Sequence, residues 1–159
     1  MSDRVKYAKD LSGNGYDATY VAVTTANGSG VDSSLKRAIL DGITSRMYSG
    51  FDVGTDATNS NNFIFTLVFK RNFFISNDSD FIAERLMSQY ADPHGDRVAI
   101  GINQNKLTLL YRDSAGDSHT VVGYTDVTAG VDHHLLLRVS TTDNRITALL
   151  DGEVEIDFT

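Results

Sequence analysis

Apolar and polar residues alternate with a period of two along most of the chain, which is the spacing of β-strands. The segment FIFTLVF (63–69) is mostly apolar at both alternating sets of positions, so we expect it to be a central strand. From 96 to 159, short alternating segments are separated by turn signals and predict an uninterrupted antiparallel meander. The residues predicted to face the core are Val98, Ile100, Ile102, Leu107, Leu109, Tyr111, Leu135, Leu137, Val139, Ile146, Ala148 and Leu150.

Tight turns are predicted at NQNK (103–106), at TTDN (141–144) and at the Asp-Gly pair 151–152, because Asn, Asp and Gly tolerate positive φ. In the first third, YDATYVAV (16–23) predicts a strand. AILDGITSRMYS (38–49) is interpreted as strand, Asp-Gly turn and strand, in preference to a short helix at 33–40.

One stretch leaves helix and strand both open. SDFIAERLMSQYAD (79–92) has a helical composition, yet its apolar residues also suit a strand. With many short strands and frequent turns elsewhere, the chain is expected to be all-β, folded as a two-sheet antiparallel jelly-roll sandwich.

Composition narrows the classes of function. At 159 residues, the chain is most simply one domain over 1–159. A net charge of −7 without a Lys/Arg cluster argues against nucleic-acid binding. The absence of cysteine excludes disulfides, thiolate metal sites and cysteine nucleophiles. No run approaches the roughly 20 apolar residues that cross a bilayer, so no membrane insertion is expected.

The C-terminal segment alternates acidic with apolar residues: Glu153, Val154, Glu155, Ile156, Asp157 and Phe158. One interpretation is a catalytic carboxylate pair of the kind that retaining glycosidases use. The other is an ordinary strand whose apolar residues face the core while the acids face water and protect the sheet from edge pairing. We favour the second interpretation and expect no enzymatic activity.

Three further groups of polar residues are candidates for sites. In DLSGNG (10–15), the side-chain oxygens of Asp10 and Asn14 suit calcium, although a Gly-rich turn explains the motif more simply, and no other cofactor is expected. Adjacent residues of a strand face opposite ways, so His133 and His134 do not share a metal. These two histidines and the remaining pair, His94 and His119, are expected to be solvated or singly hydrogen-bonded.

Polar loops at 52–62, 74–80 and 90–96 are rich in Asn, Asp and Ser. With Tyr48, Tyr90 or Tyr124 nearby, such groups suit sugar hydroxyls. Surface loops are commonly polar without binding anything, however, and for any single loop we favour that explanation.

The order of motifs resembles the laminin G-like domains of the concanavalin A-like lectin and glucanase superfamily. The segments that carry the resemblance are DLSGNGYDAT, AILDGITSRM, NNFIFTLVFKRN, RVAIGINQNKLTLLYRD and DHHLLLRVSTTDNRITALLDGEV. Many members carry Trp-His where this chain has His133-His134, and this chain has no tryptophan. The resemblance implies a concanavalin A-like sandwich whose rim loops bind glycans, proteins or calcium. EIDFT also resembles part of the E-x-D-x-x-E strand of laminarinase-type hydrolases, but the third acid is absent.

These expectations lead to a non-enzymatic binding or structural module on the surface of a virus particle, as a phage tail, fibre or capsid-decoration protein. Laminin G-like folds mostly act outside cells, whereas the first residues here lack the apolar core of a secretory signal. The expected partners are other virion proteins, a second copy of the chain and a host-surface glycan. The alternative is an extracellular carbohydrate-binding module of a larger secreted protein. A laminarinase-type glycoside hydrolase ranks third.

Overall fold

The described strands of the N-terminal part form two small antiparallel sheets. The structure is a computed structural model in which Met1–Phe51 and Asp52–Thr159 form separate units. It describes 62–71, 84–91, 95–112, 116–140 and 142–159 and, as backbone, the strands of the first unit. Those strands are β1 (Tyr7–Ala8), β2 (Ala18–Val21), β3 (Gly30–Asp32), β4 (Arg37–Ile39) and β5 (Arg46–Ser49).

The strand predicted within 16–23 is confirmed as β2. Strands are also present on both sides of the Asp-Gly pair 41–42, which itself lies outside the described residues. They do not form a hairpin with each other, because β4 pairs with β3 and β5 pairs with β2. The prediction of one domain over 1–159 stays a prediction.

The described residues of the second unit form eight longer strands. They are β6 (Phe63–Lys70), β7 (Glu84–Ala91), β8 (Gly95–Asn103), β9 (Lys106–Arg112), β10 (Ser118–Asp126), β11 (Asp132–Ser140), β12 (Arg145–Leu150) and β13 (Glu153–Phe158). The stretch 79–92, for which helix and strand were both open, therefore contributes strand β7.

These strands form two four-stranded antiparallel sheets with the orders β10-β9-β8-β7 and β13-β12-β11-β6. Two predictions are corrected. The meander from 96 to 159 is interrupted, because β10 ends one sheet and β11 lies in the other. In the described part of the chain β6 is an edge strand that pairs with β11, and it is not central.

The core lies between the two sheets, which makes the unit a β-sandwich and confirms the predicted all-β, two-sheet antiparallel class. Ten of the predicted core residues are buried, and Tyr111 and Val139 are half-buried at its margin. One sheet contributes Val98, Ile100, Leu107 and Leu109, and the other contributes Leu135, Leu137, Ile146, Ala148 and Ile156. Burial of these apolar side chains is the main force that holds the sheets together.

The predicted turns connect the strands within each sheet. Gln104 and Asn105 join β8 to β9 with φ of 48° and 64°. Asp151 and Gly152 join β12 to β13 with φ of 53° and 93°. Positive φ at both central residues suits the right-handed twist of the hairpin strands, which explains the Asp-Gly sequence. Among the described residues, no helix has the length and apolarity needed to span a bilayer.

Candidate functional site

The structure places the predicted site residues unevenly. Asp10 and Asn14 lie outside the described residues, as do His94 and most of the polar loops at 52–62, 74–80 and 90–96. Tyr48 and Tyr90 lie on strands β5 and β7, of which only the backbone is described at those positions. Tyr124 lies near the end of β10 and is 83% exposed.

A β-bulge changes the orientation of the C-terminal acids. Opposite β12, Ala148 pairs with Ile156 and Leu149 pairs with Val154, so Glu155 is an extra residue between two ladder pairs. The alternation predicted for this strand is therefore wrong at two positions. Glu155 is only 5% exposed, whereas Val154 is 54% exposed. Ile156 and Phe158 remain on the core side, and Glu153 and Asp157 remain exposed, as predicted.

The buried Glu155 carboxylate binds the backbone of the other sheet. Its Oε2 atom accepts hydrogen bonds from the backbone N–H groups of Tyr124 at 2.7 Å and Thr125 at 2.9 Å. β10 is irregular there: Val122 pairs with Thr108 and Asp126 with Lys106, so three residues of β10 oppose one residue of β9. Two part-buried backbone donors outside the regular β9–β10 register thus have an acceptor.

The environment of Glu155 favours its ionised form. Burial by itself raises the pKa of the carboxyl. Hydrogen bonds from the Thr125 side chain and from the backbone N–H groups of Thr125 and Tyr124 more than offset that effect, and the Lys106 ammonium adds attraction. The pKa of Glu155 consequently lies below its ordinary value. A carboxylate in this state is a hydrogen-bond acceptor and is poorly suited to general-acid catalysis near neutral pH.

Gly123 provides the space that the carboxylate occupies. A Cβ at position 123 would lie 2.8 Å from Glu155 Oε2 and 3.3 Å from both Glu155 Cβ and the Leu107 carbonyl oxygen. The first distance is shorter than real Cβ contacts allow. A Cβ here would push the carboxylate from its present position, so glycine suits this close approach by a side chain of the opposite sheet.

Lys106 fixes the same part of β10 from the neighbouring strand. Its Nζ donates to the Tyr124 carbonyl at 2.7 Å and to Asp126 Oδ1 at 2.8 Å. The backbone N–H of Val127 also donates to the Asn105 carbonyl at 2.6 Å. The end of β10 is therefore held by the β8–β9 turn as well as by Glu155.

Arg71, directly after β6, is a second buried polar residue that binds this segment. One guanidinium nitrogen, Nη1, donates to the Val127 carbonyl at 2.7 Å, and both Nη atoms lie 3.3 Å from Asn105 Oδ1. In return, the Arg71 carbonyl accepts a hydrogen bond from the N–H of Gly130 at 2.7 Å. A planar guanidinium with several fixed donors suits such multiple contacts.

His133 is the third buried polar residue that binds this segment. The prediction that its ring is solvated or singly hydrogen-bonded is wrong. Its Nδ1 lies 2.7 Å from Asp151 Oδ2 and its Nε2 lies 2.9 Å from the Thr128 carbonyl oxygen. Both ring nitrogens therefore have an oxygen partner within hydrogen-bonding distance. Its face packs on Phe69, with ring centroids 5.6 Å apart.

Asp151 links His133 to the Asp-Gly turn. Its Oδ1 accepts a hydrogen bond from the backbone N–H of His134 at 2.8 Å, and this bond is the largest cause that lowers the pKa of Asp151. The hydrogen bond from the His133 ring lowers that pKa further. Asp151 thus has two roles: its positive φ forms the turn, and its carboxylate orients the His133 imidazole.

Together these contacts restrain residues Tyr124–Thr128, which we call the clamped segment. Glu155 binds the N–H groups of Tyr124 and Thr125, Arg71 binds the carbonyl of Val127, and His133 binds the carbonyl of Thr128. The three buried side chains come from β13, the end of β6 and β11. On this restrained backbone, Tyr124 and Asp126 are exposed. The arrangement presents an aromatic ring and a carboxylate from fixed main-chain positions.

The C-terminal acids do not form the carboxylate pair considered from the sequence. Glu155 points towards β10, whereas Asp157 is paired with the Arg145 guanidinium, which lowers the pKa of Asp157. Retaining glycosidases need two carboxyl groups about 5–5.5 Å apart that face one substrate. Here Glu155 is buried in the sandwich and Asp157 is exposed, so the two do not share a substrate-facing surface.

The remaining histidines show no metal site among the residues that the structure describes. His133 is buried and His134 is exposed, so they face opposite ways as predicted. His119 stacks on Tyr111, with ring centroids 6.0 Å apart. In that part of the chain, His, Asp and Glu side chains form no group of three that would hold a metal ion.

The sequence did not identify Gly123 and Arg71 as site residues, and Glu155 was predicted to face water. One local signal was available: Gly123 interrupts the apolar alternation of HTVVGYT, and a glycine inside a strand indicates a bulge or a close approach. Nothing near Arg71 or Glu155 in sequence identifies their partners, which lie about 30 to 60 positions away.

Comparisons with protein-family models, with curated proteins and with solved structures found no match for this chain. Its function is therefore inferred from the geometry of its own residues.

Proposed function

We propose that this chain is a non-enzymatic recognition module that binds a glycan through Tyr124 and Asp126 of the clamped segment. The observation that carries the proposal is an 83% exposed tyrosine whose backbone N–H is held by a buried carboxylate. The Tyr124 side chain is large and strongly exposed, so it adds nothing to the core, although its main chain is well restrained.

Physical complementarity favours a saccharide. The tyrosine ring offers a flat apolar face to the C–H groups of a sugar, and its hydroxyl is a polar handle. Asp126 uses Oδ1 for Lys106 and, being exposed, accepts hydrogen bonds from sugar hydroxyls through Oδ2. Because the backbone is already ordered, binding costs little additional conformational entropy.

Two observations support a module without enzymatic activity. Glu155 is committed to two backbone N–H groups, and its lowered pKa opposes the role of a general acid. Asp157 is committed to Arg145. The glycoside hydrolase considered from the sequence is thus the less favoured function.

For the setting, we propose the surface of a virus particle, where the module is a tail, fibre or capsid-decoration component. Laminin G-like folds, which the sequence resembles, mostly act outside cells. A chain without cysteine suits a protein that is assembled in a reducing cytosol and released by lysis. The alternative is a carbohydrate-binding module of a larger secreted protein, for which the same Tyr124 surface would serve.

Binding is tested with the full chain on an array of cell-surface glycans, followed by calorimetry with the strongest glycan. Tyr124→Ala is expected to weaken binding at least about tenfold, and Tyr124→Phe, which keeps the ring, is expected to retain most of it. Val154→Ala, which removes an exposed apolar side chain from the other sheet, is the matched control and should bind like the native chain. Equal binding by Tyr124→Ala, or no glycan bound, contradicts the proposal.

The setting has a separate test. If the chain is a virion component, mass spectrometry of purified virus particles should detect its peptides. Peptides of this chain found only within a long secreted polypeptide support the alternative.

A further inference from the structure

Strand β6 is a sheet edge whose residues suit pairing with a further strand. In the described part of the chain it hydrogen-bonds to β11 on one side and to no strand on the other. Ile64 is 66% exposed and Val68 is 69% exposed on its outer face. No charged residue and no proline occurs from 63 to 69. Natural sheets usually protect a free edge with such residues or with a bulge, and the register of β6 with β11 is unbroken.

We infer that β6 pairs antiparallel with β6 of a second copy of this chain, around a two-fold axis at Thr66. In this register Ile64 lies opposite Val68 of the partner subunit, and Val68 lies opposite the partner's Ile64. On the inner face, Phe65 lies opposite the partner's Leu67 and Phe63 opposite the partner's Phe69. Every apolar residue of the strand therefore meets an apolar residue, and such cross-strand pairs are the unit of sheet stabilisation.

The register is specified by the sequence of the strand. A shift of two residues, the smallest that keeps each face on its own side, places Ile64 opposite the partner's Thr66 or the partner's Lys70. Both alternatives lose the Ile–Val contacts, and the second sets a cation against an apolar side chain. The two-fold register around Thr66 is thus the one with full apolar matching.

Charge at the ends of the strand is compatible with this pairing. Lys70 lies opposite Asp132 within its own sheet, and across the interface it lies opposite the partner's Asn62. No like charges meet between the two copies of β6. A two-fold interface of this kind is self-complementary, as in most homodimers, and joins the two four-stranded sheets into one of eight strands. It is independent of glycan binding at Tyr124, which lies on the other sheet.

Cysteine cross-linking tests both the pairing and its register, because the chain contains no cysteine. In Thr66→Cys the two new thiols are directly opposite, with Cα atoms about 4.5–5.5 Å apart, which suits a disulfide. In the control Ile64→Cys they are about 13 Å apart along the strands. Mild oxidation of the full chain should convert most of Thr66→Cys to a dimer on a non-reducing gel and leave Ile64→Cys monomeric. Equal cross-linking of the two variants, or none, overturns the inference.

The mass in solution provides a measurement that needs no cysteine. Light scattering of the native chain should give twice 17.4 kDa. Ile64→Lys and Val68→Lys place charges at the interface and should each raise the dissociation constant at least tenfold. Val154→Lys adds the same charge at an exposed apolar position of β13, away from β6, and should leave the mass unchanged. A native chain that is monomeric at 100 µM, or a dimer that both β6 variants leave intact, contradicts the pairing.

Discussion

Gly123 lies against the carboxylate of Glu155, so that a Cβ at position 123 would be 2.8 Å from Glu155 Oε2. The two residues belong to β10 and β13, which are strands of different sheets. A side chain at position 123 is therefore incompatible with the Glu155 carboxylate in its present position.

Gly123→Ala is expected to lower the free energy of unfolding by about 1–3 kcal/mol, because the added methyl group displaces the carboxylate from its two backbone donors. Urea unfolding measures the change. In a Glu155→Ala background the same substitution should cost less, since the closest contact is gone. Additivity of the two changes within about 0.5 kcal/mol would show that Gly123 and Glu155 are not coupled.

Glu155→Ala leaves the N–H groups of Tyr124 and Thr125 without their carboxylate acceptor. We expect a loss of about 1–3 kcal/mol for each donor that water does not reach. Glu153→Ala, at an exposed acid on the same strand, is the control and should change stability by less than about 0.5 kcal/mol. Thermal and urea unfolding compare them, and equal effects of the two substitutions would contradict the role given to Glu155.

The lowered pKa of Glu155 makes its contribution dependent on pH. Because the folded state favours the ionised carboxylate, the contribution is fully present above the ordinary glutamate pKa of about 4.3 and is lost as the pH falls through the lower folded value. The stability difference between the native chain and Glu155→Gln should therefore be largest at neutral pH and shrink below about pH 4. Unfolding curves from pH 7 to pH 3 measure it. A difference that grows on acidification contradicts the assigned direction.

His133→Phe tests the third contact of the clamped segment. The phenyl ring retains an aromatic face for Phe69 but donates to neither Asp151 nor the Thr128 carbonyl, so a loss of about 1–3 kcal/mol is expected. His134→Phe is the control, because that ring is exposed on the opposite face. Calorimetry measures the melting temperatures of both variants, and His133→Phe should melt at the lower temperature. Similar melting temperatures would contradict the role given to the His133 hydrogen bonds.

Periodicity was sufficient to predict much of the second unit and failed where a strand gains a residue. Leu135, Leu137, Ile146 and Ala148 are buried as their alternation predicts, because β11 and β12 pair without interruption. In β13 the inserted residue is Glu155, which faces the sandwich, and Val154 before it faces outward. The apolar and acidic pattern of β13 is the same with or without the bulge, and the pattern alone does not reveal it.

The position of β6 illustrates a second limit. Apolar residues on both faces are typical of a central strand, and the same pattern suits an edge strand that is completed by another chain. Periodicity depends on which groups exclude water, and it does not identify the molecule that covers them. Contacts such as Arg71 with Val127 depend on the folded register of distant strands and leave no local signature.

The central claim is that Glu155 holds the backbone of the clamped segment. Amide hydrogen exchange followed by NMR measures this directly at Tyr124 and Thr125, with the amide of Val127 as the internal reference because it donates to Asn105 and not to Glu155. In the native chain both amides should be protected. In Glu155→Ala they should exchange at least tenfold faster relative to Val127. Unprotected amides in the native chain, or protection that survives in Glu155→Ala, would contradict the account.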